Sequence, residues 1–400
     1  MDVTKIRKDF PILDSGIIYF DNAASSLTPE PVLEKMLEFY RQYRANIERG
    51  VHRLSMKASE EYDKARDKVA SFIKASSSSE VAMMKNTTEG INLVASGLGW
   101  KKGDRIVTTA IEHHSNFIVW LRVKRKFNVE VQVVKPDQSG ILDLADFEKI
   151  VNDNTKLVAL THVSNVLGTI TPVKEVAEIA HRHGALVLVD GAQSVPHMPV
   201  DVHSLGCDFL AFSGHKMCGP TGSGALYMRK EVADQVEPLC IGGGTILDVS
   251  LEDFNLTKYP ERYEAGTPPI AETIGLGAAV DYLQRIGLSE VRAHEERLTK
   301  RMYEGLLKIP KVNVYGPEPE KRSGVVSFNI GNLNPHDVAL ALDVSSNVMV
   351  RSGFHCSYPA VKEVIHSSTG TVRASLYIYN TEEEVDVFLS TVREIAASLA

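Results

Sequence analysis

Cysteine is scarce in this chain, and its scarcity excludes two kinds of architecture. Only 4 of the 400 residues are cysteines, and none of them forms a C-x-x-C pair, so the sequence predicts neither a disulfide framework nor a structural zinc site. Cys207 lies in an apolar run and is expected to be a buried small hydrophobic residue. Cys356 differs, because its neighbours are polar and cationic.

Long apolar runs and an excess of positive charge are also missing. No stretch reaches the ~18 apolar residues that a membrane span needs. Charges and Pro11 interrupt residues 1–20, unlike a signal peptide. The net charge of -7 argues against nucleic acid and against a membrane as the main partner, and the basic residues at 122–126 are interpreted as the solvated face of a helix. We expect a cytoplasmic protein.

The length and the apolar pattern predict two domains. A chain of 400 residues exceeds one ordinary core. Between residues 80 and 230, short β-branched runs alternate with helical patterns, which predicts an α/β domain whose mostly parallel sheet is covered on both faces. The pattern then changes to that of a smaller α+β domain. We expect an N-terminal segment at 1–20 that packs with the small domain, a large domain at 21–289 and the small domain at 290–400.

The predicted elements fall into two sets. The strands of the large domain are predicted at Glu80–Met84, Arg105–Thr109, Val129–Val134, Leu157–Thr161, Ala185–Val189, Asp208–Phe212 and Gly224–Met228. The small domain is predicted to contain helices at Val291–Leu307 and Pro335–Leu342, and strands at Val312–Tyr315, Gly324–Ile330, Val348–Arg351 and Thr371–Tyr377. Its last helix begins with a capping box formed by Thr381 and Glu384.

Polar motifs follow five strands of the predicted large sheet. They lie at 86–89, 112–114, 162–165, 190 and 213–216. In open α/β sheets, ligands bind beyond the carboxyl ends of the strands. The five motifs therefore predict one site at that edge of the sheet.

Lys216 and Asp190 each stand at the end of an apolar run. A partly desolvated lysine favours its neutral amine, which is a nucleophile towards carbonyls. A carboxylate that ends a buried strand is costly unless it is paired, and a pyridinium N–H is such a partner. A Schiff-base lysine and an aspartate on a pyridinium nitrogen are the two groups that a pyridoxal 5'-phosphate (PLP) enzyme needs most, so the pair predicts PLP as the cofactor.

The segment from Asn86 to Gly90 is predicted to lead into a helix that begins near Gly90. Backbone N–H groups and hydroxyls at a helix N-terminus suit a phosphate, although a plain N-cap explains the same residues. The loop Gly219–Gly224 follows Lys216 but lacks the spacing of a nucleotide-binding loop. The loop is therefore assigned to the predicted site only because it directly follows Lys216.

His113 and His114 end another predicted strand. No set of carboxylates or cysteines accompanies the pair, so no metal site is predicted. A lone histidine is usually structural. The functional alternative is a ring that stacks on a cofactor ring.

Cys356 lies beside His355 and five residues after Arg351. This electropositive setting favours a thiolate, and the neighbouring glycine and proline suggest a mobile loop. The alternative is an incidental thiol. Arg373 is a candidate for bidentate capture of a substrate carboxylate, and its alternative is a surface ion pair.

Ordered blocks of sequence give these motifs a family resemblance. The blocks are Tyr19–Ser25, Arg49–Ser55, Thr87–Asn92, Glu112–His114, Thr161–Thr169, Val189–Gln193, Ser213–Gly224, Glu264–Pro268, Arg351–Cys356 and Arg373–Thr381. Together they resemble a fold-type I PLP enzyme of the class V aminotransferase group, and specifically a cysteine desulfurase of the Suf type. The resemblance covers residues 18 to 390. It implies that L-cysteine is converted to L-alanine and that the sulfur supplies iron–sulfur cluster assembly.

The resemblance also implies how the cofactor ring would be held. Lys216 would form the Schiff base with the cofactor and move the α-proton of the substrate. Asp190 would keep the pyridine nitrogen protonated, and His113 would stack on the ring. Gln193 would hydrogen-bond the phenolic oxygen.

The cofactor phosphate would be bound by a second group of residues. The resemblance assigns this role to Thr88, Ser213 and His215. Thr267 of the neighbouring subunit would complete the phosphate site, which implies a homodimer.

The substrate would be held and attacked by a third group. The resemblance implies that Asn165 and Arg373 would hold the substrate carboxylate, with His52 and Arg351 close by. Cys356 would attack the substrate sulfur and carry it as a persulfide to an acceptor or to an iron–sulfur scaffold protein.

The chain departs from the usual pattern at Phe354. Similar enzymes usually have two histidines before the cysteine, and the first is a phenylalanine here. The departure leaves open how Cys356 is activated. The same pocket would also suit a selenocysteine lyase, which takes L-selenocysteine, or a cysteine-sulfinate desulfinase. A non-catalytic scaffold in cluster assembly is the alternative from another class.

Overall fold

The computed structural model describes residues 1–398, and the following strands lie within that range. In chain order they are β1 (Ile18–Tyr19), β2 (Val81–Met84), β3 (Arg105–Thr109), β4 (Glu130–Val134), β5 (Thr155–Thr161), β6 (Leu186–Asp190), β7 (Phe209–Ser213), β8 (Gly224–Met228), β9 (Ile246–Val249), β10 (Phe254–Leu256), β11 (Val312–Tyr315), β12 (Val325–Ile330), β13 (Val348–Met349), β14 (Arg351–Gly353) and β15 (Thr371–Ser375).

The α-helices alternate with these strands through the first half of the chain. They are α1 (Val3–Arg7), α2 (Glu30–Glu38), α3 (Arg53–Phe72), α4 (Thr87–Gly97), α5 (Ile118–Phe127), α6 (Leu144–Ile150), α7 (Val173–Arg182), α8 (Val202–Leu205), α9 (Lys230–Ala233), α10 (Ile270–Ile286), α11 (Leu288–Leu307), α12 (Pro335–Ser346) and α13 (Glu382–Ser398).

The large sheet has the strand order β2-β8-β7-β6-β5-β3-β4. Strand β8 runs antiparallel to both of its neighbours, and the remaining pairs are parallel. The predicted mostly parallel α/β sheet is therefore confirmed. The bounds of β3 and β8 match the prediction, and each of the other five strands begins and ends within two residues of it.

Successive residues of the central strands enter two different hydrophobic clusters. Val187 and Val189 belong to one cluster, whereas Leu188 between them belongs to the other. Phe209 and Leu210 of β7 divide in the same way. The two clusters lie on opposite faces because side chains alternate along a strand, and burial on both faces is why these strands appear in the sequence as unbroken apolar runs.

The C-terminal part of the chain contains a four-stranded antiparallel sheet with the order β11-β12-β15-β14. Its last helix begins with the predicted capping box, in which Thr381 N donates to Glu384 Oε2 at 3.1 Å and Glu384 N donates to Thr381 Oγ1 at 3.2 Å. The N-terminal segment contacts this region, since β1 pairs with β13 and Arg7 forms an ion pair with Glu384 at 2.6 Å.

The predicted strand Val348–Arg351 is wrong as a single strand. It is split into β13, which pairs with β1, and β14, which pairs with β15 in the four-stranded sheet. The backbone changes partner between Met349 and Arg351, and this change places Arg351 on the sheet that also carries Arg373.

A short antiparallel hairpin, β9 with β10, has no counterpart among the predicted elements. It carries large apolar side chains that are exposed in the single chain, namely Leu247, Val249, Leu251 and Phe254. Over residues 1–398, no helix has the length and apolarity needed to cross a membrane, and no group of metal-ligating side chains that could hold an ion is found.

Candidate active site

A cavity of about 220 Å³ lies beyond the carboxyl ends of the parallel strands. It contains residues that follow β2, β3, β5, β6 and β7, so the five polar motifs meet at one place as predicted. Most of the residues proposed from the sequence line it: Thr88, His113, Asn165, Asp190, Gln193, Ser213, His215, Lys216, Arg351 and Arg373.

Asp190 and Lys216 are brought together by adjacent strands. Asp190 is the last residue of β6, and Lys216 ends the single 3₁₀ turn that follows β7. Asp190 is buried and accepts a hydrogen bond from Ala192 N at 3.0 Å. Burial raises the pKa of Asp190 and lowers the pKa of Lys216 to about 8, although the charge of Asp190 opposes the second shift. Lys216 is therefore an unusually nucleophilic amine near neutral pH.

His113 forms part of the cavity wall beside the turn that follows β3. Its Nδ1 accepts a hydrogen bond from Ser115 N at 3.1 Å, which caps the turn and orients the ring. Burial lowers the pKa of His113 to about 3, so the ring is neutral. A neutral, oriented ring in the wall of the cavity suits stacking on a flat ligand.

The wall beside helix α4 carries a cluster of hydroxyl groups. The helix begins at Thr87 and not near Gly90 as predicted, because the Asn86 side chain accepts from Glu89 N at 2.9 Å and caps it. The N-cap interpretation is therefore correct for Asn86. Ser213 Oγ accepts from Thr87 N at 2.8 Å, and such a helix N-terminus suits an anion.

Ser115 is a residue of this cluster that the sequence interpretation missed. Its hydroxyl lies 2.7 Å from that of Thr88 and lines the cavity. His215 lies on the same side, and burial lowers its pKa to about 4. A phosphate in the cavity would therefore meet hydroxyl groups and a neutral imidazole.

Arg373 lies in the four-stranded sheet and is almost fully buried. Its guanidinium donates to Asn165 O and to Asp21 Oδ1, both at 3.0 Å. Burial lowers the pKa of Arg373 to about 10, so the side chain remains charged at neutral pH. Arg373 does form an ion pair with Asp21, but its guanidinium is buried. The alternative of a surface ion pair is therefore wrong.

Cys356 lies at the surface, beside the residues that line the cavity. Its Sγ accepts a hydrogen bond from Arg351 Nη2 at 3.6 Å. His355 is buried, and its ring Nε2 is bound to Thr371 Oγ1 at 2.9 Å. The cation that contacts the thiol is therefore Arg351, which is the electropositive setting that the sequence predicts.

His52 and Thr267 do not line the cavity of the single chain. Both are exposed. His52 caps helix α3, where its Nδ1 accepts from Ser55 N at 3.3 Å. Thr267 lies beside residues 46–49 on another part of the surface, so its predicted role depends on a neighbouring subunit.

Comparisons with known proteins identify the family. The family model described as aminotransferase class V matches residues 18–388. The chain belongs to the class V aminotransferase family. A probable cysteine desulfurase of Pyrococcus abyssi is 51% identical over 98% of each chain. Another, from Methanothermobacter thermautotrophicus, is 46% identical over 99% of this chain and 98% of its relative.

Solved structures of class V aminotransferase relatives share the fold over the whole chain. The apo structure of cysteine desulfurase from Thermococcus onnurineus superimposes with a TM-score of 0.95 at 50% identity and covers 99% of this chain and 98% of its own. The cysteine desulfurase CsdA of Escherichia coli gives a TM-score of 0.93 at 31% identity, with both chains fully covered. The fold-type I architecture is thereby confirmed.

The cavity fits the PLP of this family, because buried polar atoms of its lining residues have no partner within the protein and are available to a ligand. Gln193 Oε1, Asn165 Oδ1 and Arg373 Nε are buried and have no hydrogen-bond partner within residues 1–398. Asp190 can face a pyridinium nitrogen, Lys216 can reach an aldehyde, and the start of α4 can accept a phosphate. Three chemically different parts of one cofactor thus match three parts of one cavity.

Proposed function

We propose that the chain is a PLP-dependent cysteine desulfurase of the Suf type. It converts L-cysteine to L-alanine and takes the sulfur on Cys356 as a persulfide. The observation that carries this proposal is a thiol in contact with Arg351, placed beside a cavity that holds a nucleophilic lysine. Lys216 and Asp190 would suit any PLP enzyme, whereas the thiol of Cys356 specifically suits an enzyme that removes sulfur from its substrate.

The side chains of the cavity have distinct tasks in this reaction. PLP, when bound, withdraws electrons from the α-carbon of the amino acid. Arg373 and Asn165 hold the substrate carboxylate. The Nε of Arg373 is free to donate, and the Nδ2 of Asn165, which donates to His355 O, has a second hydrogen for the carboxylate. Lys216 takes the α-proton on its neutral amine. His113 and Gln193 would orient the pyridine ring of PLP, and Asp190 would pair with the proton on its ring nitrogen.

Cys356 performs the sulfur transfer. Its thiolate forms an S–S bond with the substrate sulfur while the bond between that sulfur and Cβ breaks. The carbon keeps the electron pair and gains a proton, so the organic product is alanine. The guanidinium of Arg351 donates to Sγ at 3.6 Å and so orients the sulfur for this attack.

We further propose that the persulfide supplies sulfur for iron–sulfur cluster assembly. Because Cys356 is exposed, a scaffold or acceptor protein can approach it. The cytoplasmic location stays a prediction from the sequence. The division at 1–20, 21–289 and 290–400 is likewise proposed, and the separate sheets on either side of residue 290 support it.

A homodimer is part of the same proposal. Thr267 is exposed and lies outside the cavity of its own chain, so it is available to a second copy. The exposed apolar side chains of the β9–β10 hairpin, such as Leu247 and Leu251, support burial against another subunit.

Alanine formation tests the activity. The wild-type holoenzyme should release one alanine for each sulfur that it removes from L-cysteine, and Cys356→Ala should keep the cofactor but lose this sulfur release. The same assay with L-selenocysteine and with cysteine sulfinate separates the alternatives, because those reactions do not need Cys356. If Cys356→Ala releases sulfide from L-cysteine at the normal rate, the proposed persulfide step is wrong. A non-catalytic scaffold would turn over none of the three substrates.

A further inference from the structure

Three aromatic rings are stacked beside Cys356. The rings of His114 and Tyr358 are parallel within 7°, with centroids 5.4 Å apart. Phe354 stacks on Tyr358 at 4.2 Å and 11°. The ammonium of Lys362 lies 5.1 Å from the centre of the Tyr358 ring and 5.6 Å from that of Phe354. Phe354 and Tyr358 lie two residues before and two residues after the cysteine, so the stack includes a residue from each side of its loop.

Hydrogen bonds join the same loop to the segment at 112–114. His114 N donates to Cys356 O at 2.7 Å. Tyr358 N donates to His114 Nε2 at 3.0 Å, which requires that this ring nitrogen be unprotonated. Ser357 Oγ donates to Glu112 O at 2.6 Å. Each residue from 356 to 358 is therefore tied to the segment that also carries His113 into the cavity wall.

The backbone of the loop needs such external support. His355 has φ of 51° and Cys356 has φ of 55°. Both values lie in the left-handed region, which residues with a side chain adopt at a cost. Such conformations persist only where surrounding contacts hold them.

We propose that His114, Tyr358 and Phe354 are positioning residues that hold Cys356 in its strained conformation beside the cavity. The inference rests on the proposed role of Cys356 in sulfur transfer. We call these three rings the ring latch. Phe354, at the position where similar enzymes usually have histidine, serves through the packing of its ring and not by carrying a proton. Arg351 contacts the thiol instead.

Two variants of Phe354 test the ring latch in the holoenzyme. Phe354→Leu keeps an apolar side chain but removes the aromatic ring, whereas Phe354→Tyr keeps an aromatic ring at this position. In Phe354→Leu, amide hydrogen exchange of residues 354–358 should be faster by about twofold to tenfold, which is the value of one aromatic pair. The kcat for alanine should fall, while the KM for L-cysteine and the cofactor absorbance stay unchanged. In Phe354→Tyr, both the exchange rate and kcat should stay at their wild-type values.

His114 provides a second test, and Glu363 provides the control. His114→Gln keeps an acceptor for Tyr358 N, whereas His114→Leu has none, so exchange of the Tyr358 amide should be faster in the leucine variant than in the glutamine variant. Glu363→Gln changes an exposed residue of the same segment outside the stack and should alter neither readout. Wild-type exchange rates in both Phe354→Leu and His114→Leu would overturn the ring latch.

The exchange experiment needs no turnover. A wild-type protein that forms no alanine would contradict the proposed function, whereas unchanged exchange in an active enzyme would contradict the ring latch alone.

Discussion

The Nη2 atom of Arg351 lies 3.6 Å from the Sγ atom of Cys356. The contact arises because the chain changes strand partner after Met349 and brings Arg351 onto the sheet just before the cysteine loop. A guanidinium stays charged at every physiological pH. The thiol is therefore held beside a permanent cation, and a histidine is not needed for that purpose.

The influence of Arg351 on the reactivity of Cys356 can be measured by alkylation with iodoacetamide, because only the thiolate reacts. In Arg351→Gln, the alkylation rate of Cys356 should fall by up to about fivefold, because an exposed pair of charges is worth at most about 1 kcal/mol. Cys240 is also exposed and serves as the internal control. Its rate should not change, and an equal loss at both cysteines would show that Arg351 has no local effect.

Cofactor loading should depend on pH through Lys216. Burial lowers the pKa of Lys216 to about 8. The protonated amine, which dominates below that pH, cannot attack an aldehyde, so loading of the cofactor-free protein should become faster as pH rises through about 8. Visible absorbance after mixing with PLP measures the rate. A rate that rises only near the ordinary lysine pKa of 10.5 would contradict this prediction.

Asp190 gives the matching control for this titration. Its negative charge raises the pKa of Lys216. In Asp190→Asn the midpoint of the loading rate should therefore move to lower pH, whereas a midpoint that does not move would mean that the two side chains are not coupled.

Arg373→Lys should weaken substrate binding. The guanidinium donates to Asn165 O and Asp21 while Nε remains unpartnered, and an ammonium group cannot reproduce this geometry. The KM for L-cysteine should rise roughly tenfold to hundredfold, the cost of a lost hydrogen bond to a charged group, with cofactor content unchanged. Asp21→Asn removes the ion pair but keeps the guanidinium, so its KM should change much less. Equal effects in both variants would assign Arg373 a structural role only.

Mixed dimers test whether Thr267 acts across subunits. Thr267→Glu should prevent cofactor binding, because a carboxylate would face the phosphate, and Lys216→Ala should be inactive. When the two inactive variants are unfolded together and refolded, each heterodimer should contain one intact site and regain activity. No recovery, with heterodimers demonstrated by mass, would place Thr267 outside the partner's site.

The strands and the location of the site could be predicted from the sequence for a physical reason. Strands buried on both faces are continuous apolar runs, and a polar residue such as Asp190 marks where each run leaves the sheet. The apolar pattern predicts the start of α4 too late, because it does not show the hydrogen bond by which the Asn86 side chain caps the helix. All residues of the run Val348–Arg351 favour a strand. The sequence therefore does not show that the run changes its pairing from β1 to β15.

Other parts of the site depend on contacts between distant segments. Ser115 follows His113 by two residues and has no characteristic spacing, and its place in the cavity appears only when Thr88 lies beside it. The stack of Phe354 on Tyr358 likewise depends on the backbone conformation of the cysteine loop. The sequence identified Phe354 only as a departure from a pattern.

Sulfur transfer to Cys356 is tested most directly by the mass of the peptide that contains it. The holoenzyme is mixed with L-cysteine without an acceptor, free thiols and persulfides are alkylated, and the peptide is measured by mass spectrometry. The predicted result is a gain of one sulfur atom on Cys356, with an equal amount of alanine and no such gain at Cys240 or in Cys356→Ser. Alanine formed at the normal rate with no added sulfur on Cys356 would contradict the proposed mechanism.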